Sequence, residues 1–123
     1  MFRQMLYGKI HGACVTEACV DYQGSITIDG ALLKAADILP GEKVLIANLT
    51  NGSRIESYTI EGKPGSGVIG LNGGAAKHGK VGDRLIIMCF AVMTAEEIEN
   101  HEAKVIRVNE KNEIIAQMVV KAG

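Results

Sequence analysis

Glycine is the strongest constraint on how this chain can fold. Fifteen of the 123 residues are glycine, against a usual share of about 7%, and they separate short runs rich in Val, Ile, Leu and Thr. Glycine adopts backbone conformations closed to other residues and weakens any helix or strand it interrupts. A chain cut this often builds short strands joined by tight turns.

The runs themselves support this. Ser25-Ile26-Thr27-Ile28 is a strand, and Asp29 caps a short helix carrying Ala31, Leu32, Leu33, Ala35 and Ala36, which Pro40-Gly41 terminates. Lys43 to Leu49 and Arg54 to Ile60 read as paired strands around a two-residue Asn51-Gly52 hairpin turn, with Arg54, Glu56 and Tyr58 on one face. Val68 to Leu71 is a strand that runs into the small-residue turn Asn72-Gly73-Gly74-Ala75-Ala76, where backbone amides are accessible. Arg84 to Met93 is the most apolar strand, and Thr94-Ala95-Glu96-Glu97 fits a capping box. Val105 to Val108 and Ile114 to Val120 form a last hairpin. Six or more short strands predict a mainly β fold with short helices, a small closed or nearly closed barrel, because closure removes unpaired edges.

The length predicts a single domain spanning residues 1–123. Hydrophobic residues at 47% and charged residues at 22% are ordinary for a folded chain. The 13 Lys and Arg against 14 Asp and Glu lack the basic excess of a nucleic-acid binder. The longest apolar stretch, Leu85 to Met93, is far short of the ~18 residues of a membrane span. The first residues show no export signal, so no membrane role and a cytoplasmic location are expected. Cys14, Cys19 and Cys89 form no C-x-x-C pair and are expected to be buried, reduced thiols.

Two nucleotide-binding patterns fail on context. Gly65-Ser66-Gly67-Val68-Ile69-Gly70 matches G-x-G-x-x-G, yet Lys63-Pro64 precedes it and no helix follows. Gly74 to Lys80 resembles a P-loop, yet Val81 stands where a magnesium-binding hydroxyl belongs. His11, His78 and His101 lack metal-ligand spacing, so no metal is expected. Lys9 and His11 project from one face of a strand. Gly-Ser occurs at residues 24–25, 52–53 and 65–66. The last two belong to turns, whereas Gly24-Ser25 precedes a β-rich run, which suggests a bulge, tight bend or close backbone approach.

Several segments together resemble one family. Lys9-Ile10-His11, Tyr22-Gln23-Gly24-Ser25-Ile26-Thr27-Ile28-Asp29, Asn51-Gly52 with Arg54 and Tyr58, Asn72-Gly73 with Ala75-Ala76, and Val81-Gly82-Asp83 are similar in order and spacing to the pyruvoyl-dependent aspartate 1-decarboxylases. The resemblance extends from Met5 to about Glu97. It implies a six-stranded double-psi β-barrel that assembles as a homotetramer with active sites between subunits. It also implies that the chain cleaves itself between Gly24 and Ser25 into a β chain, 1–24, and an α chain, 25–123. A strained turn at glycine would let the Ser25 hydroxyl attack the preceding carbonyl. Ser25 would become a pyruvoyl group, so that neither pyridoxal phosphate nor a metal is needed.

By the same resemblance, L-aspartate is converted to β-alanine and carbon dioxide through a Schiff base, for pantothenate and coenzyme A synthesis. Ser57, which stands where the family has threonine, would donate to the Gly24 oxygen and share in substrate binding. Tyr58 would return the proton and Tyr22 would shape the processing turn. Arg54, Lys9 and His11 would bind carboxylate, Asn72 would orient the pyruvoyl, and the amides of Gly73, Gly74, Ala75 and Ala76 would donate. Gly74 departs from the family alanine. A maturation factor is a further possible partner. Two alternatives remain open from the residues: a non-enzymatic β-barrel anion-binding or regulatory module, and a decarboxylase of another amino acid.

Overall fold

A computed structural model describes residues 1–121. The elements are β1 (Phe2–Cys14), β2 (Glu17–Cys19), β3 (Ser25–Asp29), α1 (Gly30–Ala36), β4 (Lys43–Asn48), β5 (Arg54–Gly62), β6 (Ile69–Asn72), a 3₁₀ helix (Gly73–His78), β7 (Arg84–Thr94), α2 (Ala95–Glu99), β8 (Glu102–Val108) and β9 (Ile114–Lys121). The fold is mainly β with short helices, as expected.

The strands lie in the order β2-β6-β3-β5-β4-β7-β1-β8-β9. β1 pairs antiparallel with β7, whereas β2, two residues further along the chain, pairs parallel with β6 at the opposite end of that order. The linking residues bridge the two sides: Val15 N donates to Asp83 O at 2.9 Å and Thr16 N to Ile69 O at 2.8 Å. The sheet therefore wraps round in a barrel-like ring. With β1 and β2 counted as one strand, the ring has six positions, and β8 and β9 extend it outside.

Inside the ring the strand period of two sorts the side chains. Ile10 from β1, Ile26 and Ile28 from β3, Ile46 from β4, Leu71 from β6 and Leu85 and Ile87 from β7 are at most 2% exposed. Each such side chain contributes about 1.5–3 kcal/mol of burial.

Asp29 does two tasks. Its Oδ1 accepts from Ala31 N at 2.8 Å, capping α1, and from Gly65 N at 3.0 Å, while Oδ2 accepts from Gly67 N at 2.8 Å. The glycine loop that matches a dinucleotide pattern thus wraps a carboxylate of its own chain and runs into a strand. The P-loop-like stretch is also explained, because its residues up to His78 belong to the 3₁₀ helix and Gly79 is extended.

Three expectations need correction. Helix α1 ends at Ala36, before Pro40-Gly41, because Asp37 turns left-handed (φ 59°) and its amide bonds back to the helix carbonyls. The β4–β5 connection is wider than a two-residue turn: Asn48 N donates to Ser53 O at 2.8 Å. The reason is Asn48 itself, whose buried Oδ1 accepts from Thr50 N and Asn51 N at 2.8 and 3.1 Å and shapes the loop. Finally, Cys89 is buried and Cys14 half-buried, but Cys19 is exposed, because all three residues of β2 face outward. The Thr94 capping box forms as expected.

Candidate functional site

β3 starts at Ser25, between β6 on one side and β5 on the other. Ser25 lies opposite Asn72, and its side chain is fully buried. Its Oγ donates to Gln23 O at 3.2 Å and accepts from Asn72 Nδ2 at 2.9 Å. The same Asn72 amide reaches Thr27 Oγ1 at 3.0 Å, because residues 25 and 27 share one strand face. Asn72 therefore fixes the hydroxyl that precedes the strand's apolar run.

β5 is longer than β3. Their parallel ladder begins at Ile26↔Thr59, so residues 54–58 have β4 on one side and no strand on the other. That half-free edge forms a cleft of about 420 Å³, lined by Gly24, Ser57, Tyr58, Gly74, Ala75 and His78, with Ile55 and Glu56 along its wall. Continuing the register backward would set Gly24 beside Ser57 and Ser25 beside Tyr58. The structure brings together Gly24, Ser57, Tyr58, Gly74 and Ala75 in one cleft, with Ser25 and Asn72 immediately behind.

The glycine that geometry demands is Gly73. Its φ is +59°, and an added Cβ would sit 2.6 Å from Gly24 N, 2.6 Å from Tyr22 O and 2.7 Å from Gly24 Cα. At Gly24 the expected strained glycine turn is absent: it is not among the positive-φ glycines, and a Cβ there would meet only Gly74 N at 3.9 Å. The tight approach falls on the facing residue because the 3₁₀ helix begins directly against the 22–24 backbone. Gly74 has open space around its missing side chain, so the alanine expected there would fit. Tyr22 is exposed, and its carbonyl packs on Gly73. Ala76 packs half-buried against the core.

Lys9, His11 and Arg54 lie elsewhere on the same chain. The row His11↔Ile86, Ala47↔Ile86 and Ala47↔Arg54 runs across β1, β7, β4 and β5 on the outer face. Three strand spacings place His11 roughly 14 Å from Arg54, and Lys9 occupies the matching row that ends at Glu56. None of the three lines the cleft. Arg54, Glu56 and Tyr58 do share the exposed face of β5.

Burial lowers the pKa of His11, and the cations Lys9, Arg107 and Arg84 lower it further. Arg107 is His11's register partner on β8. Arg84 is bound to backbone, its Nε donating to Gly12 O at 2.7 Å. The ion pair found among the described residues, Lys43–Glu56 at 3.0 Å, leaves Lys9, Arg54 and Arg107 without a carboxylate partner. The outer face around His11 is thus suited to an anion.

Sequence reasoning missed two residues. Arg107 lies in a segment beyond the reach of the recognised motifs, and only strand pairing puts it beside His11. His78 enters the sequence reading as a histidine without metal-ligand spacing and as part of the P-loop-like stretch; its position two residues after Ala76 is the signal that it lines the cleft.

The comparisons with known proteins agree with one another. The family described as "Aspartate decarboxylase" matches residues 1–115. The chain is 60% identical over 114 residues to "Aspartate 1-decarboxylase" of Listeria monocytogenes, covering 93% of this chain and 90% of the relative. It is 51% identical over 115 residues to the protein so named in Carboxydothermus hydrogenoformans, covering 94% and 91%. The Caldicellulosiruptor bescii protein of that name is 50% identical over 115 residues, covering 94% and 90%. With such similarity along nearly its whole length, this chain belongs to the aspartate decarboxylase family.

Proposed function

We propose that this chain catalyses the 1-decarboxylation of L-aspartate to β-alanine and carbon dioxide, with a pyruvoyl group made from its own Ser25. The observation that carries the reading is the junction at residues 24–25, where a buried, hydrogen-bonded serine adjoins a glycine lining an open cleft.

Self-processing follows from that junction. The Ser25 Oγ adds to the Gly24 carbonyl carbon, the peptide C–N bond breaks, and the hydroxyl proton ends on the Ser25 nitrogen, leaving an ester. Loss of the Ser25 Cα proton breaks the Cβ–Oγ bond and frees Gly24 as a carboxylate. Water then replaces the enamine nitrogen, which leaves as ammonia. Ser57 is placed in the cleft to donate to the Gly24 oxygen as negative charge develops there, and the nearby Gly74 amide offers a second donor. The products are chain 1–24 and chain 25–123, residues of one original domain.

Position 25 fits a small keto group. It is enclosed, the Asn72 amide already donates to the atom on its Cβ, and Gly73, without a Cβ, lets the turn pack directly against the backbone of residues 22–24. Once formed, the pyruvoyl ketone supplies an electron sink for the electrons left by the departing carboxylate. Asn72 orients it, and the amides of Gly73, Gly74, Ala75 and Ala76 lie around the pocket. Tyr58 holds the proton that returns to the aspartate α-carbon, a role worth ~10² to 10⁴ in rate.

Arg54, Lys9 and His11 bind substrate carboxylate. Because they lie on the outer face, outside the cleft of their own chain, a neighbouring copy brings them to it. Exposed Phe2, Phe90 and Val92 on β1 and β7 support a covered outer face. The homotetramer is carried over from the family resemblance.

Intact mass tests the reading. Purified protein should split after Gly24, and the larger fragment should carry a borohydride-reactive carbonyl and release carbon dioxide from aspartate. The Ser25→Ala chain should fold, stay whole and be inactive. A wild-type chain that stays whole after prolonged incubation refutes it, as does carbon dioxide release by Ser25→Ala. Turnover of glutamate in preference to aspartate would correct the substrate.

A further inference from the structure

Thr27 lies two residues into β3, and its branched side chain is divided between the neighbouring strands. Its methyl carbon Cγ2 lies toward β5, 3.1 Å from where a Cβ on Gly62 would stand. Its hydroxyl turns the other way, toward β6, where Oγ1 accepts from Asn72 Nδ2 at 3.0 Å. A β-branched side chain is stiff at χ1, so placing both arms fixes the acceptor. The same Asn72 nitrogen donates to Ser25 Oγ at 2.9 Å. A primary amide carries two N–H hydrogens, and these two acceptors take one each. The Ser25 hydroxyl gives its own hydrogen to Gln23 O at 3.2 Å. Toward Asn72 it therefore only accepts, which sets the nitrogen end of the amide against it.

We propose that Thr27 is a positioning residue for self-processing and for the decarboxylation that follows, holding one N–H of Asn72 so that the other points at residue 25. The inference rests on the processing reading above and adds the residue that fixes Asn72. When the Cβ–Oγ bond breaks, charge gathers on Oγ as the Gly24 carboxylate leaves, and the Asn72 N–H aimed at that atom stabilises it. Once Ser25 has become a pyruvoyl group its hydroxyl is gone, and of the two acceptors Thr27 Oγ1 remains to hold the amide. Asn72 is 5% exposed and Ser25 fully buried, so little water reaches the amide to replace a lost partner. Thr27 lies outside the cleft and acts at both stages through Asn72.

Thr27→Val keeps the branched shape and removes the acceptor. Followed by intact mass on the full chain, it should cleave about 3- to 10-fold more slowly, the worth of one ordinary hydrogen bond. Thr27→Ser keeps the hydroxyl and should stay within about twofold of wild type. In matured protein Thr27→Val should lower kcat for aspartate by a similar factor and leave KM unchanged, because Thr27 lies outside the cleft. In an Asn72→Ala background the Thr27→Val change should cost less than about twofold, since its effect passes through the missing amide. Wild-type rates in Thr27→Val overturn the inference, as do equal losses from Val and Ser or an undiminished loss without Asn72. Where Asn72→Ala does not cleave at all, the Asn72 side-chain amide signals of uncleaved Ser25→Ala protein decide: Thr27→Val should speed their hydrogen exchange, and unchanged exchange overturns the assignment. A wild-type chain that never cleaves removes the processing reading as well, whereas a cleaving chain indifferent to Thr27 removes this inference alone.

Discussion

Replacing Gly73 by alanine should damage the fold beside the Gly24–Ser25 junction, and the neighbouring position provides its control. The new Cβ would meet the backbone of residues 22 and 24 at 2.6–2.7 Å, a distance that no side-chain rotation relieves. Overpacking of this kind costs roughly 1–3 kcal/mol. Holding alanine at φ +59° adds about 1–2 kcal/mol. The sum, about 2–5 kcal/mol, is a large part of an ordinary domain's stability of ~5–15 kcal/mol. At roughly 4 °C per kcal/mol for a chain of this size, the melting temperature should fall by about 8–20 °C. The measurement belongs in a Ser25→Ala background, so that the melting species is one uncleaved chain. In that background Gly74→Ala, with nothing within 4 Å of its Cβ, should be neutral or raise stability by up to about 1 kcal/mol. With Ser25 restored, Gly73→Ala should also slow cleavage, because the displaced atoms include those of Gly24. Equal melting temperatures for Gly73→Ala and its parent would refute the packing argument, and so would equal losses at the two glycines.

Arg54→Ala should lose about 1.5–3 kcal/mol of substrate interaction, the worth of a charged hydrogen bond, read as a fall of roughly 10- to 150-fold in kcat/KM for aspartate; unchanged kinetics would remove Arg54 from the site. A thiol reagent at pH 8 should modify exposed Cys19 first. Cys89 should react only on unfolding, since burial and the Glu42 carboxylate 3.2 Å away push its thiol up to about 12; prompt labelling of Cys89 by peptide mass would contradict that environment. For His11, a folded pKa below the ordinary histidine value means that the unfolded chain binds the proton first. Stability from this group is complete above about pH 6.5 and is lost as pH falls through the lowered value, so His11→Gln should flatten the drop in melting temperature between pH 7.5 and 5.5. After cleavage, fragments 1–24 and 25–123 should co-elute in native buffer and separate in denaturant, because β1 stays paired with β7 from Phe2↔Thr94 to Cys14↔Arg84.

Local chemistry made much of the fold legible. Asp29 before an apolar helical run, Thr94 three residues before Glu97, and the alternation from Arg54 to Tyr58 are signals carried within a few residues, and each gave its element. The β4–β5 loop escaped because Asn48, a strand residue by pattern, turns its amide inward and accepts from the loop. The two glycines at the site looked alike in sequence. Which one is pressed against another backbone depends on the pairing of β3 with β6 and on where the 3₁₀ helix starts, and neither is a local property. Spacing puts Lys9 and His11 on one strand face, but only the family resemblance joins Arg54 to them; spacing along the chain does not reveal that β7 and β4 stand between that pair and Arg54.

The position of the Ser25 junction follows from a mismatch in strand length. β3 needs neighbours on both sides to bury Ile26 and Ile28, and it has them in β5 and β6. β5 must also run back to pair with β4 over residues 54–58, so it extends past the start of β3. The residue that begins β3 therefore lies inside the sheet, while the residue before it meets the gap left beside β5. One peptide bond spans a buried, hydrogen-bonded side chain and an open cleft. A hydroxyl held in the first can act on a carbonyl whose leaving charge is received in the second. Lengthening β3 by two paired residues would fill the gap with backbone and take that carbonyl into a strand ladder. The same extension would close the open edge at which Ser57 and Tyr58 share a cleft with Gly24, so the proposed processing and substrate access both depend on one short strand.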